Sequence, residues 1–146
     1  KLANDYIKEY RNRFSECMLH PRAPETLEVL NELSISQTIL TAGEQKDVEA
    51  FACFFNVNQW VQSIDGASNI EAKGKGDRAA AHISKLKLDP KDVLLIGDTL
   101  HDQEIANQVG CKALLYSRGH VVAERLRQFK DPVIDFLDDV IKWVRD

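Results

Sequence analysis

The sequence has few cysteines, and their spacing excludes the usual cysteine-based sites. Cys17, Cys53 and Cys111 are odd in number, lie far apart and form no C-x-x-C pair. This pattern argues against a disulfide framework or a zinc site and is typical of a reducing compartment. The four histidines also lack metal-ligand spacing. Because Cys53 lies in the apolar run 51–55, we predict that it is a core residue.

Long hydrophobic runs and an excess of positive charge are also absent. The apolar runs, such as the strand-like Val93–Ile96, are far shorter than the roughly 20 residues that span a bilayer. The first residues contain no hydrophobic signal core, so a cytoplasmic location without a membrane partner is predicted. With 19 basic and 23 acidic residues, the net charge is -4. Such a chain has no electrostatic footprint for nucleic acid, which we do not expect as a partner.

What the sequence does contain is an alternation of predicted strands and helices. The strand-like runs are apolar and short, and they fall at 37–41, 60–64, 93–96, 113–116 and 133–134. The helix-like runs fall at 3–18, 26–33, 44–55, 78–86, 104–109 and 121–129, with a last one from about residue 137. We expect Ala42-Gly43 to end the first strand, Asp65-Gly66 to end the second and Asp77 to cap the fourth helix. This order predicts a doubly wound α/β fold with a parallel sheet.

A cluster of polar residues follows the most apolar of the predicted strands. Gly97-Asp98-Thr99-Leu100-His101-Asp102 places two carboxylates four residues apart, directly after Val93–Ile96. Carboxylates at a strand tip are hard oxygen ligands that suit Mg²⁺, and ligands bind such sheets beyond the carboxyl ends of their strands. The simpler interpretation is that both aspartates cap the following helix.

The segment Gly97–Asp102, together with residues 104–110 that follow it, resembles the fourth motif of the haloacid dehalogenase superfamily. The resemblance implies that Asp98 binds Mg²⁺ and that Asp102 supports it. Lys73-Gly74-Lys75-Gly76-Asp77 lies where that family has its third motif, so Lys73 would neutralise charge on the nucleophile and the phosphoryl group. Glycines replace both family prolines, which leaves Lys75 as a rival for this role.

Thr41, at the end of its predicted strand, resembles the second motif of the same family, which is a strand that ends in Ser or Thr. The resemblance implies that the Thr41 hydroxyl, with the backbone N–H groups around Ala42 and Gly43, binds a phosphoryl oxygen. Residues 6–27 resemble the last cap helix and the return to the core in phosphoglycolate-phosphatase-like members. We therefore predict that residues 1–20 are the remnant of a helical cap and that 21–146 form the core domain.

The family's first motif, an apolar strand followed by D-x-D-G-[TS], has no match in the sequence. The resemblance thus implies a Rossmannoid three-layer α/β/α fold whose mainly parallel sheet lacks its first, central strand and most of the cap. That strand would lie between 37–41 and 93–96. Those two strands would then close on each other, or receive a strand from a partner fragment or another copy, or belong to a longer protein. The last is the interpretation we favour.

The function implied is a Mg²⁺-dependent phosphomonoester phosphatase acting on a small phosphorylated metabolite. Because the nucleophilic aspartate is absent, Thr41 and Lys73 are the remaining catalytic candidates, and the chain alone is predicted to be inactive. A non-catalytic protein that binds Mg²⁺ and phosphate on the same fold is the main alternative. An unrelated receiver-like module and a dehalogenase are weaker alternatives, the first because Lys73 precedes Asp98 and the second because the Gly97-Asp98 pair suits Mg²⁺.

Overall fold

The computed structural model describes residues 2–67 and 75–145. The chain divides into two compact units, Lys1–Asn69 and Ile70–Asp146, which we call the N-terminal and C-terminal units. In both units helices alternate with parallel strands, which confirms the predicted α/β fold class. None of the helices in the described residues has the length and apolar character that crossing a bilayer requires.

The described part of the N-terminal unit, residues 2–67, contains three helices and two strands. They are α1 (Leu2–Arg13), α2 (Ala23–Glu32), β1 (Thr38–Glu44), α3 (Gln45–Phe54) and β2 (Ser63–Ala67), with 3₁₀ turns at Phe14–Glu16 and Val57–Gln59. Pro24 occupies the first turn of α2, where its missing N–H costs nothing. Strands β1 and β2 pair in parallel, and α3 packs against both.

Helix α1 is attached to α3 by aromatic side chains and by charge. The Tyr10 ring of α1 lies 5.1 Å from that of Phe51, and the Phe14 ring, in the turn that follows α1, lies 4.7 Å from that of Phe51 and 5.1 Å from that of Phe54. At the surface, the Arg11 guanidinium lies 2.6 Å from the Glu44 carboxylate and 2.8 Å from that of Asp47. Aromatic pairs stabilise by about 0.5–1.5 kcal/mol beyond the area that they bury, whereas exposed ion pairs add little. Ring packing therefore holds α1 in place.

The prediction that Cys53 is a core residue is wrong. Its side chain is exposed, while the neighbouring Ala52 is 5% exposed and Phe51 half-buried. Successive residues of a helix lie about 100° apart around its axis, so an apolar run of five residues cannot all face inward.

Between residues 75 and 145, the part of the C-terminal unit that the structure describes, there are three strands and four helices. They are α4 (Lys75–Lys85), β3 (Leu94–Gly97), α5 (Leu100–Val109), β4 (Lys112–Tyr116), α6 (Ala123–Leu126), β5 (Val133–Ile134) and α7 (Val140–Val144), with 3₁₀ turns at Pro90–Asp92 and Leu137–Asp139. The strands form one parallel sheet in the order β3-β4-β5. Helix α5 packs on β3 and β4, and α4 packs on α5.

Burial is graded across this sheet. On the central strand β4, Leu114 and Leu115 are completely buried, and each contributes about 1.5–3 kcal/mol of transfer free energy. On β3, Ile96 is 42% exposed, and Leu94 and Leu95 are half-buried. Among the described strands β3 pairs with β4 alone, so it is an edge strand of this sheet.

Several predicted boundaries differ from those of the structure. Helix α5 begins at Leu100, four residues before the predicted start at Glu104. Asp77 lies inside the first turn of α4 and is not its cap. The strands of the described residues are hydrogen-bonded in two sheets, β1-β2 and β3-β4-β5. The strand expected between 37–41 and 93–96 stays a prediction. The cap boundary at residue 20 stays a prediction.

Candidate active site

Asp98 lies at the carboxyl end of β3, in the loop that leads into α5. Its side chain is 30% exposed, so the carboxylate is accessible to solvent. Thr99 is the N-cap of α5 in extended conformation, and its hydroxyl accepts a hydrogen bond from the N–H of Asp102 at 3.3 Å. The Asp102 side chain in turn accepts a hydrogen bond from the N–H of Thr99, and the two bonds form a capping box. The alternative that both aspartates cap the helix is therefore correct for Asp102 and wrong for Asp98.

Asp102 organises the loop that presents Asp98. It is 6% exposed, and its Oδ2 accepts hydrogen bonds from the N–H of Asp98 at 3.2 Å, the N–H of Thr99 at 3.1 Å and the hydroxyl of Thr99 at 2.7 Å. A Cβ at Gly97 would overlap the Cβ and carboxylate of Asp102. This explains why the loop has glycine at its first position and aspartate at its sixth.

A second segment, Gly119-His120, contacts the Asp98 carboxylate. The backbone N–H of His120 donates to Asp98 Oδ2 at 2.8 Å, and the Nδ1 of its imidazole lies 2.6 Å from the same oxygen. Sequence reasoning missed this segment because no metal-ligand spacing marks it. The signal that could have found it is its place just beyond the carboxyl end of β4, the strand next to β3.

The electrostatics of Asp98 reflect this contact. Burial alone would raise the pKa of Asp98, but the backbone N–H and imidazole of His120 together lower it below the usual value. The Asp98 side chain is therefore ionised at neutral pH. An ionised carboxylate with a solvent-accessible face can act as an oxygen ligand for a hard cation.

Thr41 lies in the N-terminal unit, inside β1 and not at its end. The strand continues through Ala42 and Gly43 to Glu44, which corrects the predicted break. Leu40 pairs with Asp65 and Glu44 with Ala67, so β1 advances four residues while β2 advances two. This bulge lets the Thr41 hydroxyl accept the Gly43 N–H at 3.1 Å.

Gln45, the first residue of α3, supports the bulge from the β2 side. Its amide group donates to the Ile64 carbonyl at 3.1 Å and accepts from the Gly66 N–H. A Cβ at Gly66 would lie 2.6 Å from the Cα of Gln45. Asp65-Gly66 therefore lies within β2, where the close approach of Gln45 requires a glycine, and does not end the strand as predicted.

The predicted motif lysine, Lys73, lies outside the described residues. Its rival, Lys75, is the first residue of α4. Gly76, where the family has a proline, faces α5, and a Cβ there would overlap the amide group of Gln108. The lysine assignment stays a prediction.

The structure brings Asp98 and Asp102 together in one loop. Thr41 lies in the N-terminal unit, and Lys73 lies outside the described residues. Among the described residues no group of three or more histidine, cysteine or acidic side chains is arranged to hold a metal ion. Mg²⁺ does not need such a cage, since it keeps several waters and binds one or two carboxylates. Asp98 fits as one such ligand. The contacts of Asp102 Oδ2 with the loop suit a supporting role better than direct coordination.

Comparison with known structures shows the same fold in larger proteins. A predicted phosphoglycolate phosphatase from Haemophilus somnus 129pt is 25% identical with a TM-score of 0.78; the match covers 86% of this chain and 57% of that one. A haloacid dehalogenase-like hydrolase from Streptococcus pneumoniae is 21% identical with a TM-score of 0.81, over 96% of this chain and 69% of that one. A predicted phosphatase from Clostridium acetobutylicum is 17% identical with a TM-score of 0.82, over 95% and 68%.

The chain thus spans between 57% and 69% of the length of these three proteins. No curated protein matches the sequence. The family model described as haloacid dehalogenase-like hydrolase matches residues 1–116, which is most of the 146 residues. That match includes the loop with Asp98 and Asp102. The chain therefore belongs to the haloacid dehalogenase-like hydrolase family.

Proposed function

We propose that this protein is a Mg²⁺-dependent phosphomonoester phosphatase, similar to phosphoglycolate phosphatases, that acts on a small phosphorylated metabolite. The observation that carries the proposal is the loop after β3, where a buried capping box presents one ionised, accessible carboxylate. Family membership and the likeness to a predicted phosphoglycolate phosphatase support it.

In this proposal Asp98 is the protein's carboxylate ligand to Mg²⁺. The bound ion would supply positive charge that offsets the charge of the phosphoryl oxygens. Asp102 keeps the backbone of Asp98 and Thr99 in place through its hydrogen bonds at 3.2 Å and 3.1 Å. A carboxylate that is fixed in this way binds a cation without first having to be ordered.

The phosphoryl group is assigned to Thr41, to the backbone around Ala42 and Gly43, and to Lys73. This assignment rests on the family resemblance. In the β1 bulge the Gly43 N–H donates to the Thr41 hydroxyl, so a phosphoryl oxygen that binds this N–H has to replace that bond. A compact lysine ammonium suits a phosphate oxygen as a point charge. Lys73→Ala should weaken the binding of tungstate, a phosphate analogue, more than Lys75→Ala; the reverse order would move the role to Lys75.

These residues account for binding and for charge neutralisation, and not for attack on phosphorus. Covalent phosphoryl transfer needs a nucleophile, and the sequence has no D-x-D-G-[TS] string that would supply an aspartate for it. Attack on phosphorus therefore needs an aspartate from a segment that carries the D-x-D-G-[TS] motif.

The test is hydrolysis of p-nitrophenyl phosphate with and without Mg²⁺, together with Mg²⁺ binding by calorimetry. We expect Mg²⁺ binding that Asp98→Ala abolishes, and no hydrolysis by this chain on its own, because it has no D-x-D-G-[TS] aspartate. When a segment that carries this motif is added, we expect Mg²⁺-dependent hydrolysis. Asp92→Ala is the matched control, because it removes an exposed carboxylate at the other end of β3. Mg²⁺ binding without hydrolysis in the presence of that segment would favour a non-catalytic Mg²⁺- and phosphate-binding protein. The absence of both Mg²⁺ binding and hydrolysis would reject the proposal.

A further inference from the structure

The contacts of Asp98 with His120 fall on one oxygen of the carboxylate. Both the backbone N–H at 2.8 Å and the imidazole Nδ1 at 2.6 Å are directed at Oδ2. With its proton on Nδ1, the imidazole donates to this oxygen in the same way as the backbone N–H does. Two donors from one residue therefore hold the same oxygen.

The backbone before His120 is packed just as closely against this group. A Cβ at Gly119 would overlap the Cβ and the Oδ2 of Asp98, so only glycine allows the segment to come this near. The Gly119 contact is steric and the His120 contacts are hydrogen bonds. These two kinds of contact restrict both the position and the rotation of the carboxylate.

We propose that His120 is a positioning residue for Asp98: it holds Oδ2 so that the carboxylate presents Oδ1 to the metal ion. This inference rests on the proposed function, in which Asp98 binds Mg²⁺. Hydrogen-bonding partners of metal ligands fix the orientation of the ligand, and removing them typically lowers metal affinity about 10- to 100-fold. The imidazole itself is 89% exposed, so it has little part in the packing of the unit.

The experiment is Mg²⁺ titration by calorimetry, with no substrate present. His120→Ala should weaken Mg²⁺ binding about tenfold or more while the melting temperature without metal stays unchanged. His120→Asn should recover part of the loss, because its amide N–H can take the place of Nδ1–H. Gly119→Ala should weaken binding as well, because its methyl group displaces Asp98. His101→Ala is the control, since it removes an exposed imidazole beside Asp102 that contacts Glu104 and not Asp98.

The outcomes separate this inference from the proposed function. If Asp98→Ala abolishes Mg²⁺ binding and His120→Ala leaves it unchanged, the positioning role is wrong and the metal ligand stands. Tighter binding by His120→Ala would also overturn the inference, because His120 would then compete with the ion for the carboxylate. If Asp98→Ala itself leaves Mg²⁺ binding unchanged, the proposed metal ligand is wrong and the inference falls with it.

Discussion

Replacement of Asp102 by alanine tests whether this residue acts through the fold of the loop. Its buried Oδ2 accepts three hydrogen bonds, two of them from the backbone of Asp98 and Thr99. Hydrogen bonds to a charged group contribute about 1.5–3 kcal/mol each when they are buried, and an N-terminal cap contributes about 1 kcal/mol. Because Asp98 and Thr99 are only half-buried, water can replace part of what is lost. We expect a loss of roughly 2–3 kcal/mol of unfolding free energy, or at least about 30-fold in the unfolding equilibrium.

The assay is urea unfolding followed by circular dichroism at 222 nm, with no divalent cation present. Asp92→Ala, in the exposed turn before β3, should stay within about 0.5 kcal/mol of the wild type. Asp102→Asn should lie between the two, because its amide oxygen can still accept a hydrogen bond but carries no charge. A loss below about 0.5 kcal/mol for Asp102→Ala would refute the reasoning, since the residue would then matter only when a metal is bound.

Three further predictions concern the backbone and the surface charge. Gly110→Ala should cost about 1 kcal/mol in unfolding free energy, because Gly110 has φ 82° while nothing lies within 4 Å of an added Cβ; Gly110→Asn should cost less. Gly66→Ala should cost more than Gly110→Ala in the same assay, because its Cβ would meet the backbone of Gln45 at 2.6 Å. The hydroxyl of Ser117 and a neighbouring arginine lower the pKa of Asp135 in the folded protein. The ionised Asp135 side chain therefore stabilises the fold fully above the ordinary aspartate pKa of about 4, and this stabilisation is lost as the pH falls through the lower pKa of the folded state. The difference in melting temperature between the wild type and Asp135→Asn should therefore be largest above about pH 4 and should disappear at acid pH.

The sequence predicted the order of strands and helices because hydrophobic periodicity is local. The strand Val133–Ile134 has the predicted bounds, β3 is shifted by one residue at both ends, and β4 begins one residue earlier than predicted. The motif at 97–102 also predicted which two carboxylates lie together. The residues alone left open whether both aspartates cap the helix, because that depends on which oxygen meets which N–H; the separate parts of Asp98 and Asp102 came from the family resemblance.

The misses concern close approaches between segments that are distant in sequence. The bulge in β1 depends on Gln45 and Gly66, whose side chain and backbone meet across 21 residues. The contact of His120 with Asp98 spans 22 residues. The dipeptide Asp65-Gly66 indicates a turn, and nothing in the sequence marks Gly119. In the structure both glycines provide space for a neighbouring chain segment. Contacts between distant segments produce no hydrophobic periodicity in the sequence, so periodicity does not reveal them.

The graded burial of the β3-β4-β5 sheet has a consequence for motion. Backbone amides exchange with solvent through local opening, which costs least where few apolar contacts must be broken. Strand β4, with its completely buried leucines, should therefore hold its amide protons longest, whereas β3, with Ile96 42% exposed, should release them earlier. Asp98 follows β3 directly. The carboxylate assigned to the metal is thus attached to a strand that opens more readily than its neighbour β4, and a cation bound there would slow exchange along the whole of β3.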